Sequence, residues 1–185
     1  MVLGFGRVTA NPIDTVTIPG YVGAIGMVAC PGVRVSSNHS GQKKVILADM
    51  EEIVAWGANG VVTLLESYEV GMHKLQELPQ LVQGQGMWWR HLPIRDMGIP
   101  SQEFEDHWAE EGELIRHALR IGERVIFHCY AGLGRTGMMA ARILVEMGME
   151  PEAAIAAVRA ANKRRIQTAD QLEFVRTCEP LYKSL

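Results

Sequence analysis

The amino-acid sequence predicts an α/β fold, a single domain with a central mixed, mostly parallel sheet and helices on both of its faces. Short apolar runs alternate with stretches of helical periodicity along most of the chain, as in parallel strands joined by helical crossovers. The run from Arg124 to His128 is apolar enough for a central strand that is covered on both faces. With 185 residues, the chain has the length of one well-buried domain, and residues 1–185 are predicted to form it.

The first elements are predicted from apolar runs between Gly and Pro residues. Thr15–Ile18 and Gly23–Ala29 are short runs of this kind, which predicts two paired strands. Ile46–Trp56 carries apolar residues at helical spacing and ends before Gly57. Val61–Leu65 is a continuous apolar run typical of a buried strand.

The alternation continues in the middle of the chain. Val70–Val82 is predicted to be helical, and Met87–Leu92 is predicted to be extended. Ser101 is predicted to cap the N-terminus of a longer helix. The inward side of that helix is expected to carry Phe104, Trp108, Leu114, Ile115 and Ala118.

Three further helices are expected after the central strand. The first is predicted from Thr136 to Met147, and the others begin at Pro151 and Thr168, where Pro151 suits the first turn of its helix. In open α/β sheets a ligand binds beyond the carboxyl end of a strand, and Cys129 falls at that place.

The strongest functional signal is the stretch His128–Thr136, where an apolar strand ends, a turn follows and an amphipathic helix begins. Backbone N–H groups of a tight loop that opens a helix converge on one point and favour a bound anion. Gly132 and Gly134 allow the backbone to approach that anion closely. Arg135 supplies a planar cation that can hold two oxygens of a tetrahedral oxyanion. We expect Cys129, at the mouth of this positive field, to be partly ionised at neutral pH and to act as a nucleophile.

The pattern His-Cys, five residues and then Arg-Thr-Gly resembles the signature of the cysteine-dependent protein tyrosine phosphatases. In that family the Cys attacks phosphorus, the Arg and the loop N–H groups bind the terminal oxygens, and the next hydroxyl stabilises the departing thiolate. The resemblance implies these roles for Cys129, Arg135 and Thr136, and it implies that His128 positions the loop and favours the thiolate. The residues that it implies for binding the substrate phosphate are Tyr130, Ala131, Gly132, Leu133, Gly134 and Arg135.

Two other interpretations of this stretch exist. One is a buried thiol at a strand end, with the glycines forming a simple turn. The other is a nucleotide-binding P-loop, which is excluded because the Gly-Lys-Ser/Thr triplet that cradles phosphates and Mg²⁺ is missing.

A phosphate ester also requires a proton donor for its departing oxygen, best carried by a loop that closes over the substrate. Asp96 is our candidate, because it lies in the Pro- and Gly-bounded segment Pro93–Pro100 between a predicted strand and a predicted helix. This placement resembles the general-acid loop of the family. The alternatives are that Asp96 is an ordinary solvated loop residue or that Asp106 is the donor.

The segment Arg165–Gln171 resembles the glutamine loop of the family, which orients the water that hydrolyses the cysteinyl phosphate. Gln167 or Gln171 would take that role, and Gln167 is our candidate. Otherwise Thr168 is simply an N-cap and the glutamines are surface residues of a helix. The basic run Lys163–Arg165 is predicted to be a solvated face, with contact to a polyanionic substrate as the alternative.

Composition restricts the remaining possibilities. The chain has 18 Lys plus Arg and 21 Asp plus Glu, and its net charge of −3 gives no general argument for nucleic-acid binding. No apolar run approaches the roughly 20 residues of a membrane-spanning helix. Because Cys30, Cys129 and Cys178 are odd in number and widely spaced, neither a disulfide framework nor a metal site is expected. Cys30 is predicted to be a buried small residue or, alternatively, a partner that captures oxidised Cys129.

The sequence therefore predicts a phosphomonoester hydrolase that acts through a phosphocysteine intermediate, without a metal or other cofactor. Its resemblance is strongest to the dual-specificity branch, with some likeness to the cyclin-dependent-kinase-associated type, which implies a phosphorylated protein or peptide as substrate. We expect a cytoplasmic monomer with no nucleic-acid partner and no membrane span. The alternatives are an RNA 5′-phosphatase or inositol-lipid phosphatase with the same chemistry, and a phosphate-binding module without turnover. Tyr130 and Leu133 lower the odds of an inositol lipid, since such phosphatases often carry lysines there.

Overall fold

The computed structural model describes residues 11–33 and 42–182, and these residues fold around one five-stranded sheet. The strands are β1 (Asp14–Thr17), β2 (Ala24–Ala29), β3 (Gly60–Thr63), β4 (Trp88–His91) and β5 (Arg124–Cys129). Their order across the sheet is β1-β2-β5-β3-β4. Among the pairings of these five described strands, only that of β1 with β2 is antiparallel. The prediction of a mixed, mostly parallel sheet is therefore confirmed.

Helices cover both faces of this sheet, as predicted. They are α1 (Gln42–Ala55), α2 (Ser67–Met72), α3 (Leu78–Gly84), α4 (Gln102–Arg120), α5 (Gly134–Glu146), α6 (Pro151–Ala161) and α7 (Ala169–Arg176). One hydrophobic core lies between the sheet and α4, α5, α6 and α7, and a second lies between the sheet and α1 and α3. Because both faces are covered, β5 carries the fully buried run Val125, Ile126 and Phe127.

The central position of β5 fixes where Cys129 lies. This strand pairs with β2 on one side and with β3 on the other. In the register, Cys129 is opposite Ala29 of β2, and His128 is opposite Thr63 of β3. The carboxyl ends of three parallel strands therefore meet at Cys129, which is the edge where open α/β sheets bind ligands.

The structure confirms the predicted helix cap at Ser101 and also shows a cap at Thr168, which the sequence analysis gave as an alternative. The Ser101 side chain accepts a hydrogen bond from the amide of Phe104 at the start of α4, and that of Thr168 accepts one from the amide of Gln171 at the start of α7. Among the described residues, none of the helices has the length and apolar character needed to cross a membrane. Within the same ranges, no group of three or more His, Cys, Asp or Glu side chains is placed to hold a metal ion.

Two predictions about helices were wrong in detail. The predicted single helix Val70–Val82 is two short helices, because the chain turns at Lys74, whose φ is 53°, and restarts with Pro79 in the first turn of α3. Leu114 was expected on the inward side of α4 but is 46% exposed. Its neighbour Ile115 takes the buried position, since adjacent helix residues point about 100° apart.

Candidate active site

A pocket of about 190 Å³ opens at the carboxyl end of β5. Three segments meet there, which we call the cysteine loop (residues 129–135), the aspartate loop (residues 93–100) and the glutamine loop (residues 165–171). The residues that line the pocket are Asp96, Met97, Cys129, Tyr130, Ala131, Gly134, Arg135, Gln167 and Gln171. The fold thus brings together three segments that the sequence analysis singled out separately.

The cysteine loop packs closely against β2. Gly132 has a φ of +70°, and a Cβ atom added there would lie 2.4 Å from the carbonyl oxygen of Val28. Only glycine fits this place without moving the backbone. Helix α5 begins at Gly134, and its N-cap Leu133 provides no side-chain hydrogen bond to the first turn. The first amides of α5 are therefore not satisfied by a capping side chain and suit a bound anion.

The guanidinium of Arg135 is buried and points toward two carboxylates and the backbone carbonyl oxygens of Ile94 and Leu64. Its Nη1 and Nη2 donate to the two carboxylate oxygens of Glu69 at 2.6 and 2.9 Å. Nη2 also lies 2.9 Å from Oδ1 of Asp96, and Nη1 donates to the carbonyl oxygen of Ile94 at 3.0 Å. The side chain of Arg135 is 2% exposed, and its two hydrogen bonds to Glu69 fix the orientation of the guanidinium.

Glu69 is a part of the site that the sequence analysis missed. Burial alone would raise the pKa of Glu69, but hydrogen bonds from Arg135 and from the Glu66 amide outweigh burial and lower it. Glu69 therefore stays ionised and partners the buried guanidinium. A signal existed in the sequence, because Glu66 and Glu69 follow β3 directly. The carboxyl ends of neighbouring parallel strands lie at the same edge of the sheet, here those of β3 and β5.

His128 lies in a chain of hydrogen bonds beneath Cys129. Its Nδ1 is 3.3 Å from the carbonyl oxygen of Cys129, and its Nε2 is 2.8 Å from Oγ1 of Thr63, which accepts from the indole N–H of Trp89 at 2.9 Å. Complete burial lowers the pKa of His128 to about 4, so the ring is neutral at pH 7. Because a carbonyl oxygen only accepts, Nδ1 carries the proton and Nε2 accepts from the Thr63 hydroxyl.

Thr136 and Cys30 lie near the same strand ends without lining the pocket. Thr136 is fully buried, and its Oγ1 has no hydrogen-bond partner within the described parts of the chain. A buried hydroxyl in this state has its proton available for another acceptor. Cys30 is buried, as predicted, and burial raises the pKa of its thiol well above the ordinary range. Its alternative role as a redox partner stays a hypothesis.

The structure distinguishes the two candidate aspartates by position. Asp96 lines the pocket, its side chain is 59% exposed, and its backbone amide donates to Oε2 of Glu66 at 3.3 Å. Asp106 lies on α4, where it accepts a hydrogen bond from Gln102 at 2.9 Å, and it is not among the residues that line the pocket. The geometry therefore favours Asp96 over Asp106 as the proton donor.

The two candidate glutamines also differ. Gln171 is fully buried, and its amide accepts from the backbone N–H of Gln167 and donates to the carbonyl oxygen of Gly98, both at 3.0 Å. Both ends of the Gln171 side chain are thus used to join the glutamine loop to the aspartate loop. Gln167 is exposed and also lines the pocket, and its side chain has no hydrogen bond to another described residue in this arrangement. The geometry therefore favours Gln167 as the residue that contacts a water.

The basic run beside the glutamine loop was predicted to be a solvated face. Lys163 and Arg164 are exposed, as predicted. Arg165 is only 2% exposed, so the prediction was wrong for this residue. Its side chain finds acceptors inside the fold, on the cysteine loop and on β1, which a count of charges along the sequence does not reveal.

Comparison with known proteins identifies the class to which this site belongs. Residues 35–149 match the family model described as "Polymorphic toxin system, DSP-PTPase phosphatase". This match spans more than half of the chain, and the chain belongs to this family of dual-specificity phosphatases within the cysteine-dependent protein tyrosine phosphatase superfamily.

Individual relatives agree with the family match. Cyclin-dependent kinase inhibitor 3 of Rattus norvegicus is 28% identical over 154 residues, which cover 82% of this chain and 69% of the relative. PRL-1 phosphatase of Drosophila melanogaster is 32% identical over 98 residues, which cover 52% of this chain and 53% of the relative. The structure of kinase associated phosphatase, with its catalytic cysteine replaced by serine, superposes with a TM-score of 0.76 at 25% identity. That alignment covers 91% of this chain and 94% of the other. The protein is therefore a phosphatase of the dual-specificity type with the fold that its sequence predicts.

Proposed function

We propose that this protein hydrolyses phosphomonoesters on proteins or peptides through a phosphocysteine formed on Cys129. The observation that carries the proposal is the meeting of Cys129, Arg135 and Asp96 in one pocket at the N-terminus of α5. A nucleophile, a cation for the phosphate oxygens and a proton donor are the three parts that this two-step reaction needs.

In the first step, the thiolate of Cys129 attacks phosphorus and the bond to the leaving oxygen breaks. The first amides of α5 and the guanidinium of Arg135 bind the three non-bridging oxygens, and Asp96 gives its proton to the leaving oxygen. Glu69 holds one edge of the guanidinium in place. The other edge of the guanidinium contacts Asp96, whose side chain is exposed, so a phosphate oxygen can take the place of Asp96 there.

In the second step, a water attacks the phosphocysteine and the thiolate leaves. Asp96 now accepts a proton from the water, and the side chain of Gln167 orients that water. The hydroxyl of Thr136, which has no partner among the described residues, donates to the thiolate as negative charge returns to sulfur. The proposed reaction uses no metal, because Arg135 and the backbone amides balance the phosphate charge.

The proposed substrates are phosphotyrosine, phosphoserine and phosphothreonine in proteins. Relatives named for cyclin-dependent kinases, and a solved structure named kinase associated phosphatase, support a phosphoprotein substrate. The ring of Tyr130 stacks on His73 with centroids 4.6 Å apart, and Tyr130 lines the pocket, so its mouth has an aromatic wall that suits a phosphotyrosine ring. We further propose a cytoplasmic monomer, since a reducing compartment preserves the thiolate.

The decisive experiment replaces the nucleophile. Cys129→Ser should abolish release of phosphate from para-nitrophenyl phosphate and still bind a phosphotyrosine peptide. The matched control is Cys178→Ser, because Cys178 is half-buried and does not line the pocket. Wild type and control should both be inhibited by vanadate. Turnover that survives in Cys129→Ser would show that another group is the nucleophile.

A substrate panel then tests the class of phosphoester. Phosphopeptides, inositol phosphates, phosphoinositide vesicles and 5′-phosphorylated RNA are compared by kcat/KM with the wild-type protein. The proposal expects phosphopeptides to give the highest values. A clear preference for inositol phosphates or RNA ends would replace the protein substrate while leaving the chemistry unchanged.

A further inference from the structure

We propose that Arg165 is a positioning residue that holds the apex of the cysteine loop and adds a second buried positive charge beside Cys129. The inference rests on the proposed function, because it concerns the loop that carries the proposed nucleophile. Arg165 does not line the pocket, so it acts through the loop and not on the substrate.

Arg165 connects three parts of the fold from within. Its Nη1 donates to the carbonyl oxygen of Gly132, at the apex of the cysteine loop. Its Nη2 donates to Oδ2 of Asp14 on β1 at 2.7 Å and to the carbonyl oxygen of Met27 on β2 at 3.2 Å. The side chain is 3% exposed, whereas that of its partner Asp14 is 25% exposed.

The contact with Gly132 matters because of how an anion-binding loop works. Amides that point toward a bound anion leave their neighbouring carbonyls pointing away from it, and a buried carbonyl needs a donor. Arg165 supplies that donor at the apex. Helix α5 leaves room for Arg165 because residue 137 is a glycine. A Cβ atom at Gly137 would lie only 2.8 Å from the Cβ of Arg165. The amide of Ile166 adds a longer contact of 3.4 Å to the carbonyl oxygen of Leu133.

The charge of Arg165 also reaches Cys129. Burial lowers the pKa of Arg165, while the ion pair with Asp14 and the negative charge of an ionised Cys129 oppose that shift. Arg135 is another buried guanidinium that interacts with the charge of Cys129. Two cations thus act on one sulfur, one lining the pocket and the other behind the loop. Asp14 partly balances the second cation, so the two residues should influence the thiolate in opposite directions.

Because Arg165 and Asp14 should shift the ionisation of Cys129 in opposite directions, replacing each of them distinguishes an electrostatic role from a purely structural one. The readout is the pH at which the rate of Cys129 alkylation by iodoacetamide is half-maximal, followed by mass spectrometry of the Cys129 peptide. Arg165→Met should raise this midpoint by about one pH unit. It should also lower kcat/KM for para-nitrophenyl phosphate by roughly 10- to 100-fold. Asp14→Asn should lower the midpoint, because it removes a negative charge and keeps the cation.

Matched variants sharpen the result. Arg164→Met removes an exposed cation next in sequence and should leave the midpoint and kcat/KM unchanged. Arg165→Lys keeps the charge, so its alkylation midpoint should lie close to that of the wild type. Its kcat/KM should recover less, since one ammonium cannot donate to Gly132, Asp14 and Met27 in the same geometry. If Arg165→Met unfolds below the assay temperature, the direction in which Asp14→Asn shifts the alkylation midpoint tests the inference.

Two outcomes would overturn the inference. One is an unchanged midpoint in folded Arg165→Met, and the other is a midpoint in Asp14→Asn that stays constant or rises, as general loosening of the loop would produce. Failure of the proposed function looks different, since turnover would then survive in Cys129→Ser whatever Arg165 does.

Discussion

The cysteine loop and the aspartate loop meet over one pocket but are held in different ways. The cysteine loop follows the central strand β5, which is paired on both sides, and the carbonyl of Tyr130 accepts from the amide of Cys30 at 3.0 Å. The side chains of Cys129 and Arg135 are almost fully buried. The aspartate loop follows the edge strand β4, and the side chain of Asp96 is 59% exposed.

The difference matches what each loop is proposed to do. A nucleophile and its anion-binding amides act best when their geometry does not change during the reaction. A group that gives a proton, takes one back and admits a substrate needs a segment that is less firmly held. The loop proposed to hold the nucleophile thus follows the central strand β5, and the loop proposed to carry the proton donor follows the edge strand β4.

The strongest test of this contrast is one substitution made in both loops. Gly132→Ala should lower the free energy of unfolding by about 3 kcal/mol or more and abolish turnover, because its Cβ would lie 2.4 Å from a backbone oxygen at a φ of +70°. Gly98→Ala should cost less than about 1 kcal/mol, since its Cβ would lie 3.2 Å from the nearest atom, the Arg95 carbonyl oxygen. Urea unfolding and para-nitrophenyl phosphate kinetics measure both. Equal effects would mean that the two loops are held alike.

The next largest effect concerns the proton donor. Asp96→Asn should lower kcat for phenyl phosphate, which has a poor leaving group, by roughly 100-fold or more, and lower it less for para-nitrophenyl phosphate. It also removes the negative partner 2.9 Å from Arg135, so vanadate should bind more tightly. Asp106→Asn is the matched control and should change neither quantity. A normal rate in Asp96→Asn would place the donor on another residue.

A third prediction uses the buried imidazole beneath the cysteine loop. The pKa of His128 falls from its ordinary value of 6.5 to about 4 on folding, so the unfolded chain binds more protons between these values. Stability should therefore fall as the pH decreases below 6.5, by about 2 kcal/mol between pH 7 and pH 5. His128→Asn should be less stable at pH 7 and should lack this part of the slope.

The matched control for that slope is the exposed His117 on α4. His117→Gln should keep the wild-type dependence of unfolding free energy on pH. If His128→Asn retains the full slope in urea titrations at pH 7 and pH 5, another group is responsible for it.

The smallest predicted effect lies where the two loops are joined. Gln171→Leu removes the amide that connects the Gln167 N–H with the Gly98 carbonyl and should cost about 1 kcal/mol of stability. The rate should fall several-fold because the aspartate loop loses this support. Gln83→Leu, at an exposed position of α3, is the control for the substitution itself. An unchanged rate in Gln171→Leu would show that this contact does not position Asp96.

The sequence allowed the centre of the molecule to be predicted because the signals there are local. The apolar run of β5, the Cys and Arg at fixed spacing, and the caps Ser101 and Thr168 depend on residues close in the chain. The break at Lys74 was missed because lysine ordinarily avoids a positive φ, so the sequence carries no sign of a turn there.

The contacts that could not be predicted are pairings between charged residues that lie far apart in the chain. Glu69 lies 66 positions before Arg135, and Arg165 lies 151 positions after Asp14. Neither carboxylate–arginine pair has a signature in sequence spacing, and charged residues are mostly exposed. The catalytic roles of Asp96, Thr136 and Gln167 stay predictions, supported by where their side chains lie.

The hydrogen-bond chain from Trp89 through Thr63 and His128 to the Cys129 carbonyl links an indole to the backbone of the proposed nucleophile, so this protein should carry its own spectroscopic reporter. Indole emission responds to the hydrogen bond at Nε1 and to charge nearby, so we expect it to change when the proposed phosphocysteine forms and is hydrolysed. With the other three tryptophans, Trp56, Trp88 and Trp108, replaced by phenylalanine, stopped-flow fluorescence would follow each turnover without a labelled substrate.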